Sequence, residues 1–163
     1  VVGVLEVSRY ITIDPDEWSL CVQVANARQV SSIKKGGRDT LSKKDGWLEE
    51  FTPHIIGCVG ELAVAKALGV SWTGSVDTFR SVPDLEGGVQ VRHRKNPTWD
   101  LIVRSNDKDH ETFILSRGMP PGAIEVVGWI SGKEAKNPEW LKDYGNFNKP
   151  AYFVPTWALK EIK

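Results

Sequence analysis

The sequence predicts an α+β fold of mixed α/β character, formed by one domain over residues 1–163. Three observations carry this. Two long helical patterns come first, a meander of short β-branched segments follows, and short interrupted helical patterns close the chain. Elements segregated in that order suit helices packed on a mixed sheet, not a regular alternation of strand and helix. The length is enough for one full core. A hydrophobic fraction of 40% and a charged fraction of 26% are those of a globular domain, and seven Trp argue against disorder.

The elements follow in chain order. "VLEVSRYITI", residues 4–13, is β-branched and partly alternating, so it predicts a strand. "DPDEWSLCVQVANARQVSS" predicts a helix: Asp14 suits the N-cap, Pro15 the first helical position, and Asp16 and Glu17 the positive end of the helix dipole. The Lys- and Gly-rich stretch at about 33–46 predicts a mobile basic loop. A second helix is expected from Trp47 to Leu68, ending at Gly69 as its C′ residue, with Pro53 either splitting it or starting it afresh. Strands are expected around 76–79, 89–94, 100–104, 112–115 and 124–130, with a short helix in "GKEAKNPEWL" interrupted near Pro138. "AYFVP" predicts a late strand and "TWALKEIK" a terminal helix.

Charge and motif content narrow the function. The formal net charge is zero, so a nucleic-acid partner needs local patches instead of a whole-surface field. One patch is Lys34, Lys35, Arg38, Lys43 and Lys44; a second is Arg92, Arg94 and Lys95. No apolar run is expected to approach membrane-spanning length, and the first residues lack a signal-peptide pattern. Cys21 and Cys58 have no metal-type spacing and predict buried thiols. There is no GxxxxGK[ST] and no GxGxxG, so nucleotide cofactors of those types are unsupported.

The chemistry-bearing stretch is "PDLEGGVQVRHRK", residues 83–95. Period two places Val89, Val91 and His93 on one strand face and Gln90, Arg92 and Arg94 on the other. A turn at Gly87-Gly88 brings Asp84 back beside the strand. A carboxylate, the Gln90 amide and the Val91 carbonyl are hard oxygen donors suited to Mg2+ or Mn2+. Arg92 adds fixed positive charge, which suits stabilisation of a phosphorane. On the strand alone, a wet surface hairpin is the favoured reading. Within "GCVGELAVAKALG", Glu61 shares its helical stripe with His54, Cys58, Ala65 and Leu68, so its carboxylate faces protein and needs a metal or an arginine as partner. His93, between valines, reads as a satisfied core histidine.

The G-x-x-G-E helix, the Pro83-Asp84 pair and the strand "VQVR" together resemble the PD-(D/E)XK nuclease superfamily. The text "LIVRSNDKD", "VVGWISGKEAKNPEW" and "AYFVP" is also similar to small proteins encoded by tailed bacteriophages. The resemblance implies a restriction-endonuclease-like core, a central mixed sheet flanked by helices. It implies a metal-dependent DNA phosphodiesterase with catalytic Glu61, Asp84, Gln90 and Arg92. Mg2+ or Mn2+ would be held by Glu61, Asp84, Gln90 and Val91. DNA would be tracked by Lys34, Lys35, Arg38, Lys43, Lys44, Arg94 and Lys95. Gln90 stands where the family has a second acid, and Arg92 where it has a lysine. Arginine cannot serve as a compact, titratable ammonium. The competing expectation is therefore a catalytically degenerate module of the same fold that binds nucleic acid or protein. No membrane or nucleotide cofactor is expected, self-association into a homodimer is left open, and the expected location is the cytoplasm, that of a bacterial host if the chain is phage-encoded.

Overall fold

The computed structural model of the chain describes residues 9–36, 46–76, 83–144 and 149–163. The first described strand, β1 (Arg9–Ile11), is the end of the expected 4–13 strand. Helix α1 (Pro15–Lys34) starts in a capping box: Asp14 accepts from the Glu17 amide at 2.8 Å, and Glu17 accepts from the Asp14 amide at 2.9 Å. Helix α2 (Trp47–Leu68) runs unbroken through Pro53 and stops where Gly69 takes φ 68°, a left-handed conformation that glycine adopts without a Cβ penalty. The expectation that no apolar run approaches membrane-spanning length is corrected by α2. It has 22 residues and an 18-residue window of mean hydropathy 1.2, so it passes for a membrane-crossing helix by length and composition alone. Here it is the central helix of the core.

The two helices lie antiparallel. At one end Lys66 donates to Glu17 and to the Thr12 carbonyl; at the other Gln29 donates to the Trp47 carbonyl. Cys21, Ala25, Cys58, Val59, Leu62 and Ala63 form the apolar seam between them, together with Ile13 and Ile124. Both thiols are buried, as expected, and burial pushes Cys21 up to about 11 and Cys58 up to about 12.

The strands β2 (Val89–Arg94), β3 (Leu101–Arg104), β4 (Thr112–Arg117) and β5 (Ile124–Ser131) match the expected runs to within a few residues. They do not form one sheet. The main sheet has the order β1-β5-β4-β2, with β2 and β4 parallel and the other pairs antiparallel. A second, antiparallel sheet joins β3 to β7 (Ala151–Val154) and the two-residue β6 (Leu141–Lys142). Three layers result. Val91, Ile114 and Val126 face α2, while Phe113, Leu115 and Ile130 face Leu101, Val103 and Val154 of the second sheet. The expected α+β class with a mixed sheet and helices is met, and the layers are these: the long helices take one face of the main sheet and a small sheet takes the other. A bulge between Leu115 and Ser116 pairings lets Val126 and Ile130 of one strand serve opposite layers.

Helix α3 (Gly132–Ala135) and a 3-10 turn (Pro138–Trp140) fit the interrupted helix expected there. The expected terminal helix is not formed. Only a 3-10 turn (Thr156–Ala158) precedes an extended segment whose Lys160 exchanges both backbone hydrogen bonds with Trp129, at 2.8 and 2.9 Å. The edge of β5 competes for those backbone groups, and Gly128 admits the segment: a Cβ there would lie 2.6 Å from the Lys160 carbonyl oxygen. The strand expected around 76–79 falls mainly on residues outside the described ones.

Candidate functional site

β2 sits at the edge of the main sheet. Its even residues turn their backbone groups to β4: the Gly88 carbonyl accepts from Thr112 and the Arg94 carbonyl from Gly118, each at 3.0 Å. Its odd residues therefore present theirs to the open edge. There the 83–88 turn folds back, the Leu85 amide donating to the Val89 carbonyl at 3.1 Å. This places Asp84 beside Val91, whose amide donates to Asp84 Oδ2 at 2.7 Å. Strand parity puts the Val91 carbonyl on the same edge.

Glu61 reaches this region from α2. It is 8% exposed. Arg28 of α1 forks onto it, Nη1 to Oε1 and Nη2 to Oε2, both at 2.9 Å, and Trp72 Nε1 donates to Oε2 at 2.9 Å. The Arg28 Nε donates to the Ser75 carbonyl at 3.0 Å. Burial works to lower the Arg28 pKa, but the hydrogen bonds and charge of Glu61 prevail and hold it raised. Asp84 lies in the same field. Burial raises its pKa, with the Glu61 charge adding to the rise; the Val91 hydrogen bond and the charges of Arg92 and Arg28 oppose it.

Gln90 and Arg92 leave the strand on the opposite face from α2. Arg92 lies 5.0 Å over the Phe113 ring and donates to Asp107 Oδ1 at 3.0 Å. Asp107 also accepts from the Arg104 amide, and its carbonyl accepts from Lys136, so this turn is tied down by polar contacts. The four proposed catalytic residues are thus brought to one strand edge but divided between its two faces: Glu61 with the helices, Gln90 and Arg92 towards the second sheet, Asp84 between. As a cation site they fit poorly. Both Glu61 oxygens and one Asp84 oxygen already accept hydrogen bonds. Among the described residues, no three His, Cys, Asp or Glu side chains converge.

His93 packs against Gly60 so closely that a Cβ on Gly60 would overlap its own. Its Nδ1 pairs with Ser116 Oγ at 2.8 Å and its Nε2 with the Gly118 carbonyl at 2.7 Å. The carbonyl fixes the tautomer: Nε2–H donates, and Nδ1 accepts from the hydroxyl. Burial pulls the His93 pKa down to about 4, against the Gly118 hydrogen bond. It is the satisfied core histidine that the strand pattern predicts.

Of the basic residues, Arg38, Lys43 and Lys44 lie outside the described ones. Lys34 and Lys35 end α1 and line a shallow concavity with Ala27, Val30, Ser31 and Val76. Arg94 stacks on Trp99, and Lys95 is exposed. The partner of Glu61 escaped the sequence reading, although a signal existed. Cys21, Ala25 and Arg28 recur at i, i+4 and i+7, so the buried stripe of α1 carries one cation just as that of α2 carries one anion. Comparison with protein-family models, with curated proteins and with solved structures finds no match to this chain.

Proposed function

We propose that the chain is a nucleic-acid-binding module of nuclease-like build that binds without cutting. The observation that carries this is the Arg28 fork on Glu61. A guanidinium already neutralises the acid that a nuclease would lend to a divalent ion, and a buried bidentate pair is costly to break. Two more features support the reading. Arg92 is committed to Asp107 and Phe113 on the far face of β2. Gln90 brings no charge. The cations that would meet a polyanion are Lys34 with Lys35 at the end of α1, and Arg94 with Lys95 at the end of β2. The order of contacts sets both pairs towards the same end. The end of α1 meets the start of α2 through Gln29, and β2 advances along α2 from its later turns to Gly60.

The test is a gel shift and a digestion run on one protein preparation. A labelled DNA retained at low salt without metal, released as salt rises, and left intact in Mg2+ or Mn2+ is the expected result. Cleavage that needs the metal and disappears in Asp84→Ala would overturn the reading in favour of a hydrolase using Glu61, Asp84, Gln90 and Arg92. Failure to retain any nucleic acid at low salt would favour a protein-interaction role.

A further inference from the structure

Beyond β2 the chain builds a surface that its own packing does not use. We propose that Trp99 and Trp157, with Arg94 and Lys95, form a stacking platform for single-stranded nucleic acid. The proposal rests on the nucleic-acid reading above and names its preferred substrate class.

Trp99 is 50% exposed and Trp157 76% exposed. Large indole faces left in water are unfavourable, and Trp side chains found there are candidates for contact with a partner. Neither ring is loosely placed. Arg117 donates to the Trp99 carbonyl at 3.4 Å and to Thr156 Oγ1 at 3.3 Å, tying the 96–99 turn to the turn that carries Trp157. Glu125 anchors Arg117 in turn, at 3.0 Å. Trp157 meets the edge of Trp140, with centroids 6.1 Å apart and planes at 80°. Arg94 is the register partner of Arg117 across β2 and β4, so Arg94, Trp99 and Trp157 belong to one end of the sheet.

The charges specify the occupant. The Arg94 guanidinium carbon lies 4.7 Å above the Trp99 centroid, and its Nε is buried without a hydrogen-bond partner. Burial lowers the Arg94 pKa, with only the Asp100 charge opposing. The half-buried Arg94 guanidinium, held over the indole, is a fixed cation of the kind that pairs with a phosphate. Exposed Lys95 follows directly. Two indoles and two cations match a strand whose bases and phosphates are both accessible. A duplex hides its base faces and satisfies only the cations.

The experiment measures anisotropy of a labelled oligo(dT) of about 15 nucleotides against a duplex of equal length at low salt. Wild type, Trp99→Ala/Trp157→Ala and Trp99→Phe are compared. The wild type is expected to prefer the single strand by about tenfold, and the double alanine variant to lose about 10- to 100-fold of single-strand affinity with duplex affinity unchanged. Trp99→Phe keeps a ring and should retain most of it. Quenching of Trp fluorescence by oligo(dT), lost in the double variant, gives a second readout. Unchanged single-strand affinity in the double variant would overturn the platform while leaving nucleic-acid binding intact. Absence of binding to either oligonucleotide would overturn both, and displacement of oligo(dT) by an acidic peptide at equal concentration would reassign the surface to a protein.

Discussion

The helix-facing side of β2 and its last residue use polar groups in opposite ways. Near Val91 and His93, facing the helices, charges and donors close on one another: Arg28 with Glu61 and Trp72, Asp84 with Val91, His93 with Ser116 and Gly118. At Arg94 the strand emerges among exposed indoles, with a buried Nε that nothing accepts. The first region has the composition of a catalytic centre and the connectivity of a core. The second lacks any catalytic motif but keeps unspent interactions. A buried polar group that is fully paired contributes to a unique packing, whereas exposed indoles beside a cation mark a place where something else can bind.

The sharpest way to break the first region is to remove one half of its ion pair. Arg28→Met strands the Glu61 carboxylate among apolar neighbours and is expected to cost about 3–5 kcal/mol. Urea unfolding should show most of that loss recovered in Arg28→Met/Glu61→Leu, since an apolar pair of similar volume replaces a buried ion pair at little net cost.

Acid should act next. The His93 pKa of about 4 lies below its ordinary value of 6.5, so between these values the unfolded chain binds a proton that the folded chain refuses. Stability is therefore full above the unfolded value and falls with pH through that window, by on the order of 3 kcal/mol in all. A non-titrating His93→Gln variant should flatten this part of the pH profile. Asp84 works with the opposite sign. Its pKa is raised, so the folded chain holds the proton more readily, and stability falls as pH rises from the ordinary carboxyl value through the raised one. Asp84→Asn keeps an oxygen for the Val91 amide and should raise Tm at neutral pH, with the gain vanishing in acid.

Gly60→Ala should cost about 1–3 kcal/mol, because its methyl group would meet the imidazole of His93, held on both ring nitrogens. The smallest effect belongs to the other end of the strand. Trp99→Ala should change stability by no more than about 0.5 kcal/mol, as for an exposed side chain outside the core. A large destabilisation there would show that the indole belongs to the packing, and would erase the contrast between the two regions.

Much of the fold could be read from local pattern. Asp14-Pro15-Asp16-Glu17 specifies the start of α1 through side chains acting on adjacent amides, and Gly69 specifies the end of α2 through its backbone freedom. Alternation in "VQVRHR" correctly divides its side chains between faces. What escaped is non-local. Nothing in the strand segments reveals that β3 leaves the main sheet for β7, or that Lys160 is captured by Trp129 before "TWALKEIK" can wind into a helix. For the site, helical spacing shows that Glu61 is buried and needs a partner, but the choice between a metal and an arginine depends on how α1 packs. Arg92 meets Asp107 only because two turns distant in sequence close over one face of the sheet.

Thermal unfolding of the wild-type chain with and without Mn2+ tests most directly whether Arg28 has taken the place of a metal. A divalent ion bound only by the folded state raises Tm by mass action, with no need for an active substrate. With the Glu61 carboxylate closed by Arg28, the expected result is a Tm that does not move with Mn2+. A rise that grows with Mn2+ and is abolished by Asp84→Ala would contradict it, and would place a cation where the arginine now sits.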